Sequence, residues 1–311
     1  MPANQPKPFS PPSAAQVQAH LDRYPPRGPS KISLLLPTFG LALIVFLMLR
    51  AQSAATFILS WCLLGALLVV MGVRARLARS LESEAAQIQE MTMWRRREDA
   101  LRQAWRLLPR LVVNPELHGR TVAAIAHNLE SLGAHDAAIV AYDHLIKRLP
   151  DDHPVSVQLR VHRTMAELGA ERLTDADSSL RRLRSAVEPY RGTPIGGSYR
   201  LASLIQQSRT HHDADAIEGA DELLDELRPL GIDAGYGHAL MALAYVRLGE
   251  SESPPESWRD HALQWWSRAT LLLPVERLVE RFSDLHLAAQ RLAAQHQAAS
   301  LRGADATGAA G

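Results

Sequence analysis

Residues 32–49, ISLLLPTFGLALIVFLML, and residues 54–73, AATFILSWCLLGALLVVMGV, decide how this chain is read. Neither run contains a charged residue. Each is close to the length a helix needs to cross a bilayer core, roughly 17–25 residues. Only Arg50, Ala51, Gln52 and Ser53 separate them, so residues 32–73 predict a tight transmembrane helical hairpin. Both runs are apolar on every face, which fits lipid better than the one-sided core of a soluble fold. Pro37 falls in the first turns of the first run, where a missing N–H costs little. Gly65 and Gly72 are small positions at which two helix backbones can approach.

The flanking cations give an orientation. Lys7, Arg23, Arg27 and Lys31 precede the hairpin, Arg74, Arg76 and Arg79 follow it, and the intervening loop holds only Arg50. The positive-inside rule then places both termini in the cytoplasm. Residues 1–31 are rich in proline, which removes backbone donors, so a disordered tail is expected, with a short helix at 14–23 the one local exception. The first apolar run starts too far along the chain for a cleaved signal peptide, and a second run follows at once. An integral protein of a bacterial inner membrane is the expected setting.

The rest of the chain reads as helix. Ala, Leu and Arg are abundant, β-branched and aromatic residues are sparse, and no stretch of useful length alternates with period two. The near-neutral net charge of +1 gives no reason to expect nucleic acid. Cys62, the single cysteine, lies inside the second apolar run, which excludes a disulfide framework and a cysteine metal site. Residues 74–118 contain no glycine or proline before Pro109, so the second span is expected to continue as a helical stalk. Leu77, Leu81, Ala85, Ile88 and Met91, then Leu101, Trp105 and Leu108, form an apolar stripe along it. That stripe needs a partner, either the following domain or its own copy in a homodimer. Arg95, Arg96 and Arg97 fit a solvated face or contact with anionic lipid head groups.

Residues 126–150, AHNLESLGAHDAAIVAYDHLIKRLP, set Gly133 at a turn, Ala138 five residues on, Tyr142 four later, Leu145 three later and Pro150 five later. A small residue lets a second helix approach the first, an aromatic fills the gap behind it, and the proline stops the helix. Near the end, residues 238–249 carry Ala242, Tyr245 and Gly249, and residues 261–274 carry Ala262, Trp266, Ala269 and Pro274 at the same spacings of four, three and five. This pattern resembles the tetratricopeptide repeat, of which Leu145 departs from the small-residue preference. The resemblance implies an α-solenoid of helix pairs over residues 119–301, with an insertion at 250–260 between the helices of the last pair. Two further pairs fit more loosely. The first comprises 156–168 and 175–188, the second 197–209 and 213–227. Residues 275–301 predict one long amphipathic closing helix with Leu278, Phe282, Leu285 and Leu292 on one side, and residues 302–311 a disordered tail.

Nothing in the sequence points to catalysis or a cofactor. His211, His212, Asp213 and Asp215 are adjacent on the chain and point in different directions, so they fit a polar turn with Asp213 as N-cap better than a metal site. No Gly-rich phosphate loop, nucleophile elbow or paired-His helix motif occurs. Arg120, His127, Arg160 and Arg163 would fall on the inner side of the first helices, as a modestly basic groove or as solvated residues. The sequence therefore predicts an all-α, non-enzymatic, membrane-anchored scaffold that presents a concave surface to a protein or peptide. The alternative is a subunit or assembly factor whose hairpin is the interacting part.

Overall fold

The computed structural model describes residues 9–28, 31–50, 54–251, 254, 257–286 and 288–292, and every regular element among them is helical. The chain forms two compact units, residues 1–148 and 149–311.

In the first unit α1 (Ala14–Arg23) precedes α2 (Lys31–Leu49) and α3 (Ala54–Met93). Then come α4 (Arg97–Leu107), a short 3-10 segment, α5 (Pro115–Ser131) and α6 (His135–Ile146). Among the described residues one helix, Phe57–Met93 within α3, is long and apolar enough to cross a membrane, and only 6% of its most apolar window is buried. A core helix would be covered on most sides, so this surface suits lipid. The apolar run at 32–49 is also helical and packs on α3. Gly40 is the close-approach point, facing Leu67, whereas Gly65 and Gly72 have nothing within 4 Å of an added Cβ. The expected use of the two glycines of the second run is thus corrected. Small residues favour a crossing only where they face the partner.

The lower half of α3 packs on α4 and α5. Leu81, Ile88 and Met91 are buried there with Ala100, Leu101, Ala104 and Leu107 of α4, while Leu77 is exposed. The apolar stripe is therefore answered by the following helices within the chain. The stalk is not one continuous helix, as the absence of glycine suggested. It turns at Trp94–Arg96, where Arg95 adopts a left-handed φ of 60°. Residues 74–118 and the first expected repeat belong to the same packed unit.

The N-terminal segment is more ordered than its proline content implied. Ser13 and Gln16 form a reciprocal capping box that starts α1, and Val17 and Leu21 are fully buried. α1 packs on α6, its His20 ring stacks on Trp105 of α4 at 4.2 Å, and Tyr24 O meets His118 Nε2 at 3.0 Å. Local propensity alone leaves a ten-residue helix marginal. Burial of its apolar face decides.

The second unit contains α7 (Pro154–Gly169), α8 (Leu173–Val187) and α9 (Pro194–Arg209). These are followed by α10 (Asp213–Ile217), α11 (Ala220–Leu227), α12 (Ala234–Leu248), α13 (Trp258–Leu272) and α14 (Val275–Arg281). Each of α7, α9 and α12 packs on the helix or helices that follow it, and α7 packs on α9, which packs on α12. α12 is the centre: residues 234–246 are buried without interruption, as expected of a helix apolar all round. Two expected helices are broken. Residues 213–227 divide at Gly219, whose φ is 74°. The closing helix expected over 275–301 divides at Phe282–Asp284, with Leu278, Phe282, Leu285 and Leu292 all in the core; residues 293–301 and the expected tail at 302–311 lie outside the described residues. Asp284 in the bend accepts from Arg247 of α12, and both halves stay in the same core cluster as α12.

Candidate functional site

The helices repeat one local design. α3, α5, α7 and α9 each end on a left-handed residue: Arg95, Gly133, Glu171 and His211, spaced 38, 38 and 40 residues apart. At each, the next N–H reaches back to close the helix end. Arg96 donates to Met91 O, Ala134 to Leu129 O, Arg172 to Glu167 O and His212 to Gln207 O, all at 2.9 Å. This is the Schellman ending, normally built on glycine because a Cβ is strained there. Five residues beyond each left-handed residue stands an alanine: Ala100, Ala138, Ala176 and Ala216, none more than 3% exposed. Seven residues further come Leu107, Leu145, Leu183 and Leu223, also buried. Each second helix then meets a proline: Pro109, Pro150, Pro189 and Pro229.

Sequence reading found the turn at Gly133, placed the next two between 168 and 175 and at 211–215, and missed the one at Arg95. Only one of the four left-handed residues is glycine, so the usual signal is absent. The alanine and leucine seven residues apart would have revealed the period. The first of these pairs is the lower half of α3 with α4, ahead of the expected start at residue 119.

Ala138, Tyr142, Ala242, Tyr245, Ala262, Trp266 and Ala269 are all buried. Tyr142 OH donates to Glu130 Oε2 at 2.9 Å, tying α6 to α5. Gly249 ends α12 in right-handed conformation, and its bare Cα lies against the ring of Trp258, so here glycine serves contact and not turn geometry. Pro274 is the N-cap of α14, and Pro150 is exposed after α6.

The four groove candidates divide between the units. Arg120 and His127 are exposed on α5, and Arg160 and Arg163 are partly covered on α7. Each arginine has a carboxylate beside it. Arg120 pairs with Glu116 at 2.6 Å, Arg163 with Glu167 at 2.5 Å, and Arg160 with Asp151. Their charge is therefore locally answered.

The polar turn at 211–215 is structural in its contacts. His212, not Asp213, is the N-cap of α10, and its Nδ1 lies 2.8 Å from Thr210 Oγ1. Asp213 is buried in the first turn, 3.6 Å from Arg247, and burial pushes its carboxyl above the usual range against the pull of that guanidinium. Arg247 also donates to Ser208 O at 2.8 Å and to Asp284 at 3.2 Å, joining α9, α10, α12 and the bend at 282–284. Among the described residues no group of three or more His, Cys, Asp or Glu is arranged to hold a metal ion.

The outer surface of the hairpin is apolar. Phe39, Phe46, Phe57, Trp61, Leu68 and Val69 are each at least half exposed. Monomeric soluble proteins rarely leave such a patch open to water. The structure thus defines an all-helical chain with an apolar helix long enough to span a membrane. No protein-family model, curated protein or solved structure matches it.

Proposed function

We propose that this chain is a membrane-anchored scaffold in which a two-span hairpin carries a stack of TPR-like helix pairs that binds a protein or peptide in the cytoplasm. The observation that carries the reading is the recurrence of one turn and one buried alanine every 38–40 residues. Such recurrence is the mark of repeat arrays, whose extended surfaces bind partners. The packing of α7 on α9 and of α9 on α12 supports it.

The anchor is supported by the N-terminal segment. α1 lies before the hairpin and packs on α6, which lies after it, and Arg27 N–H donates to Val112 O at 2.6 Å. The two flanks then share one compartment, so the chain between them crosses an even number of times. With α3 spanning, α2 spans as well. The flanking arginines place that compartment on the cytoplasmic side. A composition rich in Ala and Arg fits a bacterial inner membrane.

A second reading, a subunit or assembly factor of a membrane complex, is favoured by the aromatic pair Phe57 and Trp61. Their rings meet edge-on at 6.3 Å and stay exposed on α3. Photo-crosslinkers placed at Phe57 or Trp61, and at exposed sites on α7 and α9, separate the two in intact membranes. A partner captured from α7 or α9, with the span sites silent, fits the scaffold. Capture from the span sites alone overturns it in favour of the subunit.

A further inference from the structure

Between α1 and α4 lies an open cleft of about 820 Å³. Three arginines line it: Arg23 in the last turn of α1, and Arg102 and Arg106 one turn apart on α4. No carboxylate lines it. Among the described residues Arg23 and Arg106 pair with no acid, while Arg102 pairs on its own helix with Glu98 at 3.4 Å and Asp99 at 3.8 Å, and Arg102 and Arg106 also border a second hollow lined by Glu90 and Asp99. The eight residues ahead of Phe9 contain no Asp or Glu to answer these charges. The apolar side of the cleft includes the stacked rings of His20 and Trp105, with Phe9 beneath the Arg102 guanidinium at 4.9 Å. Like charges gathered on one small surface repel unless an anion joins them. Arginine forks match phosphate oxygens two at a time, and rings offer a face for a planar group. The volume falls within the usual range for small-molecule sites, about 300–1,000 Å³.

We infer that this cleft binds a soluble phosphate ester carrying a planar ring, a ligand of the nucleotide class, with Arg23, Arg102 and Arg106 on the phosphates and Trp105 and His20 beside the ring. Phosphate also reaches a membrane protein from lipid head groups, and distance decides against that source. Gln103 of α4 bonds Gln87 of α3 at 2.9 Å, and Arg110 pairs with Glu84 at 2.7 Å. Arg102 and Arg106 therefore lie alongside residues 84–91, about 16–27 Å down α3 from the end of the apolar run at 1.5 Å per residue. The head-group layer is only about 5–8 Å deep on each side. The choice of source rests on the membrane reading above; the binding of phosphate does not. Because α1 forms one wall, the ligand also holds the N-terminal segment in place.

The test uses the full-length protein in detergent micelles, with ADP, inorganic pyrophosphate and glycerophosphoglycerol, the water-soluble head group of phosphatidylglycerol, as probes in calorimetry. ADP and pyrophosphate bind. The double variant Arg102→Gln with Arg106→Gln weakens both by tenfold or more, while Arg181→Gln, at an exposed position of α8, leaves them unchanged. Ala19→Trp, which fills the cleft and keeps its charge, blocks ADP. Hydrogen exchange over residues 14–23 verifies that α1 stays docked in each variant. Absence of ADP and pyrophosphate binding at millimolar concentration overturns the inference. So does binding indifferent to the double variant. Binding confined to glycerophosphoglycerol overturns the soluble source and, with it, the depth assigned to the cleft.

Discussion

Leu21→Ala tests the contact that ties the two flanks of the hairpin together. Leu21 is fully buried where α1 packs against α6. Removing a buried leucine side chain costs about 2–5 kcal/mol, more where the cavity cannot collapse. α1 has ten residues and holds itself weakly once undocked, since isolated helices below about 12–15 residues are marginal in water. Amide exchange in residues 14–23 therefore reads the docking equilibrium directly. At about 1.4 kcal/mol per factor of ten, the smallest expected loss lowers protection there about 30-fold. Protection in α12, in the other unit, stays as it was. The assay is hydrogen exchange with mass spectrometry on the detergent-solubilised chain, with Gln18→Ala on the exposed face of α1 as a control. Unchanged protection in residues 14–23 refutes the reasoning, because α1 would then be held by something other than its buried face.

Docking of α1 also weakens in acid. Burial lowers the His118 and His20 rings, and it takes His144 down to about 4, assisted by Arg148 and Lys147 and opposed by Asp22. A ring that titrates lower when folded than when unfolded leaves stability intact above about pH 6.5 and removes it as pH falls toward 4. Exchange protection in α1 thus falls between pH 7 and 5, and His144→Phe flattens the dependence. Gly237→Ala puts a Cβ 2.4 Å from Leu227 Cδ1 and lowers the melting temperature by overpacking worth about 1–3 kcal/mol. Gly119→Ala, with open space at its Cβ inside α5, gains about 0.5–1 kcal/mol instead. Arg247→Met leaves Asp213 buried without its cation and costs about 3–5 kcal/mol in a denaturant melt, and adding Asp213→Leu recovers most of it.

Sequence alone determined the helical class, the two apolar runs, and the residues that let one helix approach another. Those properties are carried by local composition and by periods of a few residues, so Ala138, Tyr142, Ala262 and Trp266 were legible before any fold was in view. Tertiary structure decided which segments find partners. α1 is a helix of consequence because α6 packs on it and His118 of α5 meets Tyr24 O at its end, 94 residues away along the chain. The turns at Arg95, Glu171 and His211 carry no glycine to announce them, and packing on both sides imposes the left-handed residue. Gly219 and the bend at 282–284 interrupt helices expected to run on, because keeping their leucines buried outweighs a few backbone hydrogen bonds. The cleft at Arg23, Arg102 and Arg106 joins residues some eighty positions apart, and no pattern read along the chain brings them together.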